Sequence, residues 1–320
     1  MHRPLTTLLL LCCAALTQLG VAQRDATVGH INILPAALPL VAEAAGIYDE
    51  LGLNANVIAF ADGPSTAQAL VAGQLDVAYV GYTLAYLWAS QDAPVRILGR
   101  AANIDLVVMA RQDAGIAELA DLRGRTVGTP PNGTPPDVIF RGLVLPEAGL
   151  SGADIEQIQV PPPTLLPGLA TGQFEAAVMP EPWGTIAKLQ LEPVQVFDIN
   201  DLLPEAVSVG IVFVTTQRTL EEKPELVEVL VEAHKRTVAL SESDPETFNQ
   251  LLADGFFPNG VETPSGTIEG RTVVDQAMAR LSFGYELPEE AIEQMEALAA
   301  VLVELGIIEE TIPVRGLIVQ

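Results

Sequence analysis

The chain is 320 residues long, enough to bury a large core without disulfides, and its 41 Asp and Glu against 16 Lys and Arg give a formal net charge of −25. Such a field repels nucleic acid and anionic lipid, so neither is expected as a partner. Cysteine occurs only at Cys12 and Cys13 and histidine only at His2, His30 and His234, which excludes a thiol nucleophile and a Cys- or His-rich metal centre beyond residue 23.

Residues 1–23 read as an export signal. Arg3 supplies a short positive region, residues 8–16 are apolar but too few to span a bilayer (~20 are needed), and Gly20-Val21-Ala22 offers small residues for cleavage. A lipid anchor fits less well, because Leu11 and Cys12 precede the two cysteines where a small residue is usual. No later run is long and apolar enough to cross a membrane.

The following segment alternates strand and helix. The pattern predicts a strand over 28–34, a helix over 38–51 stopped by Gly52, a strand over 56–60, a helix over 64–71, a strand over 77–80, a helix over 83–90, and strands over 95–98 and 104–110. After Arg111 it restarts, with strands at 126–128, 155–160 and 176–179, helices at 136–148 and 164–170, and a helix from Glu181. Strands at 194–197 and 207–215 follow. Alternating units rich in Val, Ile and Leu predict α/β lobes whose parallel sheets are covered on both faces. From Glu221 onward only helices are expected, with apolar stripes such as Ile292, Met295, Leu298 and Leu302 at helical spacing, forming a tail across the first lobe.

A repeat supports two lobes. Ala69-Leu70-Val71-Ala72-Gly73-Gln74-Leu75-Asp76-Val77 returns 99 positions later as Gly168-Leu169-Ala170-Thr171-Gly172-Gln173-Phe174-Glu175-Ala176: helix end, glycine stop, acid, apolar strand. Asp76 and Glu175 are expected as solvated or capping residues. The organisation predicted is a signal at 1–23, lobe 1 at 24–110, lobe 2 at 111–209, and a return to lobe 1 at 210–320, hinged near 110–112 and 208–212.

In parallel sheets a ligand crevice lies beyond the carboxyl ends of the strands. There the loops hold Leu34 and Pro35; Gly63, Ser65 and Thr66; Tyr82 and Thr83; Asn132, Gly133 and Thr134; and Glu181 with Trp183. Several lead into helix starts, whose unpaired N–H groups and positive dipole end can hold an anion without an arginine. Each residue alone reads first as an ordinary N-cap or turn; the convergence of such loops from both lobes is what points to a site. Tyr82 and Trp183 could stack on a planar ligand, while Tyr86 and Trp88, inside a helix, read as core. Glu181 either satisfies its helix or receives an ammonium or hydroxyl group. His30 reads as a packed residue, and Arg100 and Arg111 as surface ion pairs. No nucleophile–base pair, Gly-x-Ser-x-Gly elbow or P-loop lysine is present, so binding without chemistry is expected, with no metal and no cofactor.

The order of Pro39-Leu40, Ala42-Glu43, Gly46, Gly52-Leu53, Gly63-Pro64, Gly73, Asp76, Gly81, Asp121-Leu122-Arg123-Gly124, Val127-Gly128, Gly149-Leu150, Gly172 and Glu181-Pro182 resembles the periplasmic solute-binding proteins of ABC importers for nitrate, sulfonates, taurine and thiamine precursors. The resemblance implies a type II binding-protein fold, α/β with two parallel-sheet lobes, a two-segment hinge and a helical C-terminal tail. It also implies a small-molecule ligand, an extracytoplasmic location, a membrane permease with its ATPase as partner, and a monomer. By position, the family's ligand contacts carry over to Leu34, Pro35, Ser65, Thr66, Tyr82, Asn132, Gly133, Thr134 and Glu181. Relatives that bind strong anions often add a basic or amide side chain in the cleft, and none stands out here. An alternative is binding of a thiamine-precursor pyrimidine. A related enzyme branch that makes this precursor uses a cysteine-rich iron motif and a reactive histidine, and the chain beyond residue 23 lacks that motif.

Overall fold

The computed structural model describes residues 23–191, 194–202, 208–263 and 266–319. The expected export signal lies outside the described residues except for Gln23. The described residues form twelve strands: β1 (Arg24–Ile31), β2 (Leu53–Phe60), β3 (Val77–Gly81), β4 (Val95–Ala102), β5 (Leu106–Arg111), β6 (Thr126–Thr129), β7 (Glu156–Gln159), β8 (Ala176–Pro180), β9 (Val194–Asp198), β10 (Ile211–Thr216), β11 (Val261–Thr263) and β12 (Gly266–Ile268). They build two five-stranded sheets, ordered β2-β1-β3-β10-β4 and β7-β6-β8-β5-β9, and one small hairpin, β11-β12.

The two large sheets share one topology and exchange one strand. In the first, β10 runs antiparallel to both β3 and β4; in the second, β5 runs antiparallel to both β8 and β9. The sheets are therefore mixed, where the sequence predicted parallel ones. The cause is connectivity. β5 follows β4 across the lobes with no helix between them, and β10 follows β9 after only the short helix Ile199–Leu202, so each enters at the cleft end and runs back against its neighbours. Strands β3, β8 and β10 are buried at every residue, which matches their uninterrupted apolar composition.

This exchange moves the first crossing between lobes. Leu106–Arg111, read from sequence as the last strand of lobe 1, pairs in the second sheet, so the crossing falls at 103–105 and not at 110–112. The return crossing lies between β9 and β10. The predicted helix over 38–51 is broken at Gly46 into Leu38–Ala44 and Ile47–Glu50.

The repeated motif does the same structural work in both lobes. Gly73 and Gly172 end their helices at φ +76° and +75°, a left-handed geometry that a side chain resists. Asp76 Oδ2 accepts the Thr27 N–H at 2.8 Å, and Glu175 Oε2 accepts the Thr126 N–H at 3.1 Å. Thr27 and Thr126 are themselves 99 positions apart. Neither acid is simply solvated or a helix cap. Each ties the helix exit to the neighbouring strand, and Lys223 and Arg125 neutralise them at 2.7 and 2.8 Å.

The tail holds helices Pro224–Ser243, Pro245–Phe256, Gly270–Ala277 and Glu289–Glu304. It is not purely helical, because β11 and β12 interrupt it. Nor does it cover the first lobe alone. Tyr82 Oη donates to Met295 O at 2.8 Å on the first lobe, while Val273 joins Leu165, Leu169, Phe174 and Met179 in the second lobe's own core. Among the described residues no helix is long and apolar enough to cross a membrane.

Candidate functional site

Where the carboxyl ends of β1, β3, β6 and β8 meet, the lobes enclose a small cavity. Its wall is made by Ile31, Ile33, Ile104 and Ile211, by six prolines (Pro130, Pro131, Pro135, Pro136, Pro162 and Pro180), and by Gly63, Gly81 and Thr134. The prolines stand at strand ends and first helical turns, where a missing N–H costs nothing and φ is already set. The N–H groups of Ser65, Thr66, Asn132, Gly133 and Thr134, at helix starts where the sequence placed donors for a ligand, are all engaged within the protein. The cavity holds about 20 Å³, room for roughly one water molecule. No charged side chain lines it, and its one hydroxyl, Thr134 Oγ1, donates to Pro131 O at 2.6 Å.

Two hydrogen bonds close the lobes over this cavity. Leu34 N–H donates to Glu181 O at 3.1 Å, and Thr83 Oγ1 donates to Gly133 O at 2.7 Å. Close approach is also built in at Gly81, where a Cβ would stand 2.3 Å from Pro135 Cδ of the other lobe. Leu34, Pro35, Gly63, Thr83, Gly133, Thr134 and Glu181 thus come together at the lobe junction. Ser65 and Thr66 sit beside it with their polar groups engaged. Asp62 caps their helix by accepting the Ser65 N–H at 2.9 Å, and both hydroxyls donate to Asp62 O. Tyr82 turns away: its ring is fully buried and its hydroxyl is committed to the tail. Trp183 opens its helix partly buried, and its Nε1 is buried without a partner among the described residues.

The loop holding Asn132, Gly133 and Thr134 is organised by a residue that sequence reasoning passed over. Asp137 is fully buried and accepts four donors: Gly133 N–H at 2.9 Å, Arg141 Nε at 2.8 Å, Arg141 Nη2 at 2.6 Å and Gln157 Nε2 at 2.8 Å. Arg141 Nη2 also donates to Asn132 Oδ1 at 2.6 Å. The Asp137/Arg141 spacing of four was the available signal, because it places both on one helix face. The Gln157 contact is long-range and left no trace in the sequence pattern.

Glu181 is 2 % exposed and faces its own helix, with Thr185 donating N–H and Oγ1 to its carboxylate at 3.2 and 2.9 Å. Burial, reinforced by the Asp105 carboxylate and opposed by the Thr185 bonds, pushes it up to about 7. Leu106 pairs with Pro180, which makes Asp105 and Glu181 cross-strand neighbours at the first crossing. Burial also raises Asp105, to about 6, with Asp198 adding to the effect, and its Oδ1 has no partner among the described residues. His30 is core, as expected, and its Nδ1–H donates to Ile31 O at 3.0 Å; burial lowers its pKa. Arg111 pairs with Asp113 at 2.5 Å as expected. Arg100 departs from expectation, binding the carbonyls of Ser208 and Ser282 in place of a carboxylate.

A family model described as the NMT1-like family matches residues 20–253. The chain belongs to the NMT1-like family. A relative of this NMT1-like chain in Brucella abortus, named "Putative binding protein", is 26 % identical over 257 residues, covering 80 % of this chain and 79 % of the relative. Among solved structures, the alkanesulfonate-binding protein SsuA of Xanthomonas axonopodis pv. citri superposes with a TM-score of 0.75 at 18 % identity, over 93 % of this chain and 99 % of that one. The periplasmic nitrate-binding protein NrtA of Synechocystis gives 0.68 at 15 % identity, over 89 % and 82 %. The NMT1-like chain therefore has the two-lobed fold of periplasmic binding proteins, as its motifs implied. The strand exchange, β5 into one sheet and β10 into the other, produces the two crossings about which such lobes can move.

Proposed function

We propose that this chain is the exported solute-binding component of an ABC importer, which captures a small organic solute between its lobes and hands it to a membrane permease driven by its ATPase. The observation that carries the reading is the lobe junction itself: strand ends from two exchanged sheets, two interlobe hydrogen bonds and an apolar wall, with no nucleophile–base pair. The enclosed space is far below the ~300–1,000 Å³ of a usual ligand pocket, so the lobes must part about the crossings to admit a ligand. Parting frees the Leu34 N–H and the Thr83 hydroxyl, two donors suited to a ligand oxygen.

The isoleucine and proline wall favours a solute with an apolar body, such as an alkanesulfonate, over a bare oxyanion such as nitrate. Nitrate and a sulfonate head alike find no cation here, and an uncompensated buried charge costs several kcal/mol; only a solute with an apolar body offsets that cost by burying it against this wall. Ligand contacts are assigned to Leu34, Gly63, Thr83, Gly133, Thr134 and Trp183.

Thermal shift and titration calorimetry against alkanesulfonates, taurine, pyrimidine precursors and nitrate test this. A matching organic solute at a hundredfold its Kd should stabilise by about 2.7 kcal/mol, without turnover, while nitrate does not. Thr134→Ala and Trp183→Ala should weaken that binding with the melting temperature of the free protein nearly unchanged. Tight nitrate binding with no response to organic solutes would sink the ligand class, and turnover of the solute would sink the binding-only reading.

A further inference from the structure

A second cavity, of about 700 Å³, lies outside the cleft on the first lobe. Helix Pro224–Ser243 and the start of Glu289–Glu304 form its sides, and the return crossing at Ser208 and Val209 forms part of its wall. The size falls within the ~300–1,000 Å³ range of small-molecule sites. The lining is largely apolar, from Val209, Val238, Phe283, Pro288 and Ala291. Two cations break it, and neither has a carboxylate within ion-pair distance among the described residues.

Arg100 is the deeper of the two, and burial lowers its pKa. Its Nε donates to Ser208 O at 3.3 Å and its Nη2 to Ser282 O and Oγ at 3.2 and 2.7 Å, while Nη1 makes no hydrogen bond among the described residues. Lys235 Nζ stands 4.2 Å from the centroid of the Tyr285 ring, a cation–π contact that leaves its donors free. Carboxylates are present at Glu242, Glu286 and Glu290, but all three are exposed at the rim. A guanidinium with an open Nη1 above an apolar floor matches one carboxylate on a hydrophobic body. The glutamate rim works against di- and trianions.

We propose that this cavity is a second small-molecule site, distinct from the cleft, that takes a monoanionic amphipathic ligand with its carboxylate on Arg100 and Lys235. Arg100 also holds Ser208 O, and Gly210 N–H donates to Ala102 O at 3.1 Å. An occupant therefore bears on the return crossing and reports to the hinge. The proposal does not depend on what the cleft binds.

The test uses octanoate and 3-phenylpropionate as probes, with their neutral amides as controls, titrated calorimetrically into the exported protein. Ala239→Trp fills this cavity from an exposed helix position, and Gly81→Trp blocks the cleft. We expect a carboxylate to bind at least tenfold tighter than its amide, to lose that binding in Ala239→Trp, and to keep it in Gly81→Trp. Arg100→Gln should reduce the acid-over-amide preference, and circular dichroism checks its fold. Equal affinity for acid and amide, loss in a Gly81→Trp that circular dichroism shows to be folded, or retention in a folded Ala239→Trp would each overturn the proposal.

Discussion

Glu181 gives the sharpest test of the electrostatics at the lobe junction. Its carboxyl ordinarily titrates near 4.5 and is held at about 7 in the folded protein, chiefly by burial and secondarily by Asp105. Between those values the folded chain keeps a proton that the unfolded chain has released, so stability falls as pH rises. The contribution is fully present below about pH 4.5 and lost by about pH 7. At ~1.4 kcal/mol per unit, the loss is roughly 3 kcal/mol. Glu181→Gln removes the titration while keeping an oxygen to accept from Thr185. The variant should therefore gain on the parent by about 3 kcal/mol between pH 4 and pH 8. With unfolding entropy near 2.1 cal/mol/K per residue, that is about 5 °C in melting temperature for a chain of this size. The assay is scanning calorimetry of both proteins at matched ionic strength across that range, where titrating groups other than the coupled neighbour Asp105 cancel in the difference. A gap between variant and parent that does not change with pH would refute a buried, protonated Glu181.

Further expectations follow from other contacts. Gly81→Val places carbon where Pro135 Cδ stands, 2.3 Å from a Cβ, so the lobes should be held apart. Small-angle scattering should show a larger radius of gyration, and ligand affinity should fall at least tenfold; an unchanged radius would contradict the closure described. Asp137→Ala leaves Arg141 half-buried without its carboxylate and should cost about 3–5 kcal/mol by denaturant unfolding, whereas a loss below 1 kcal/mol would show the four-donor cluster to be unimportant. His234 is stacked on Phe213 and bonded to Tyr79 Oη and Arg100 O, and burial holds its pKa down at about 4. Its unfolded counterpart takes a proton near 6.5, so stability should be lost as pH falls from about 6.5 to 4. In Tyr79→Phe, which strips the hydroxyl partner from Nδ1, the melting midpoint at pH 7 should drop by an amount corresponding to about 1–3 kcal/mol.

The sequence by itself determined the units. Apolar runs of strand length between helical stretches marked most strands within a few residues, and the glycine–acid–strand repeat marked two lobes, because helix stops and buried strands are local demands on residue type. Even the 99-residue spacing was structural, since Asp76 reaches Thr27 and Glu175 reaches Thr126 by the same path. What the sequence could not reveal was direction and partnership. A buried strand reads alike whether it runs parallel or antiparallel, so the exchange of β5 and β10, and with it the crossing at 103–105, was decided only by which sheet each strand entered. The loop residues were legible as loop residues, but Tyr82 turning to Met295, Thr83 bonding Gly133, and Asp137 gathering Gln157 depend on elements distant in the chain. Proline told the same story from the other side. Each ring is explained locally as a strand end or helix start, and only the closure of two lobes turned six of them into the wall of one cleft.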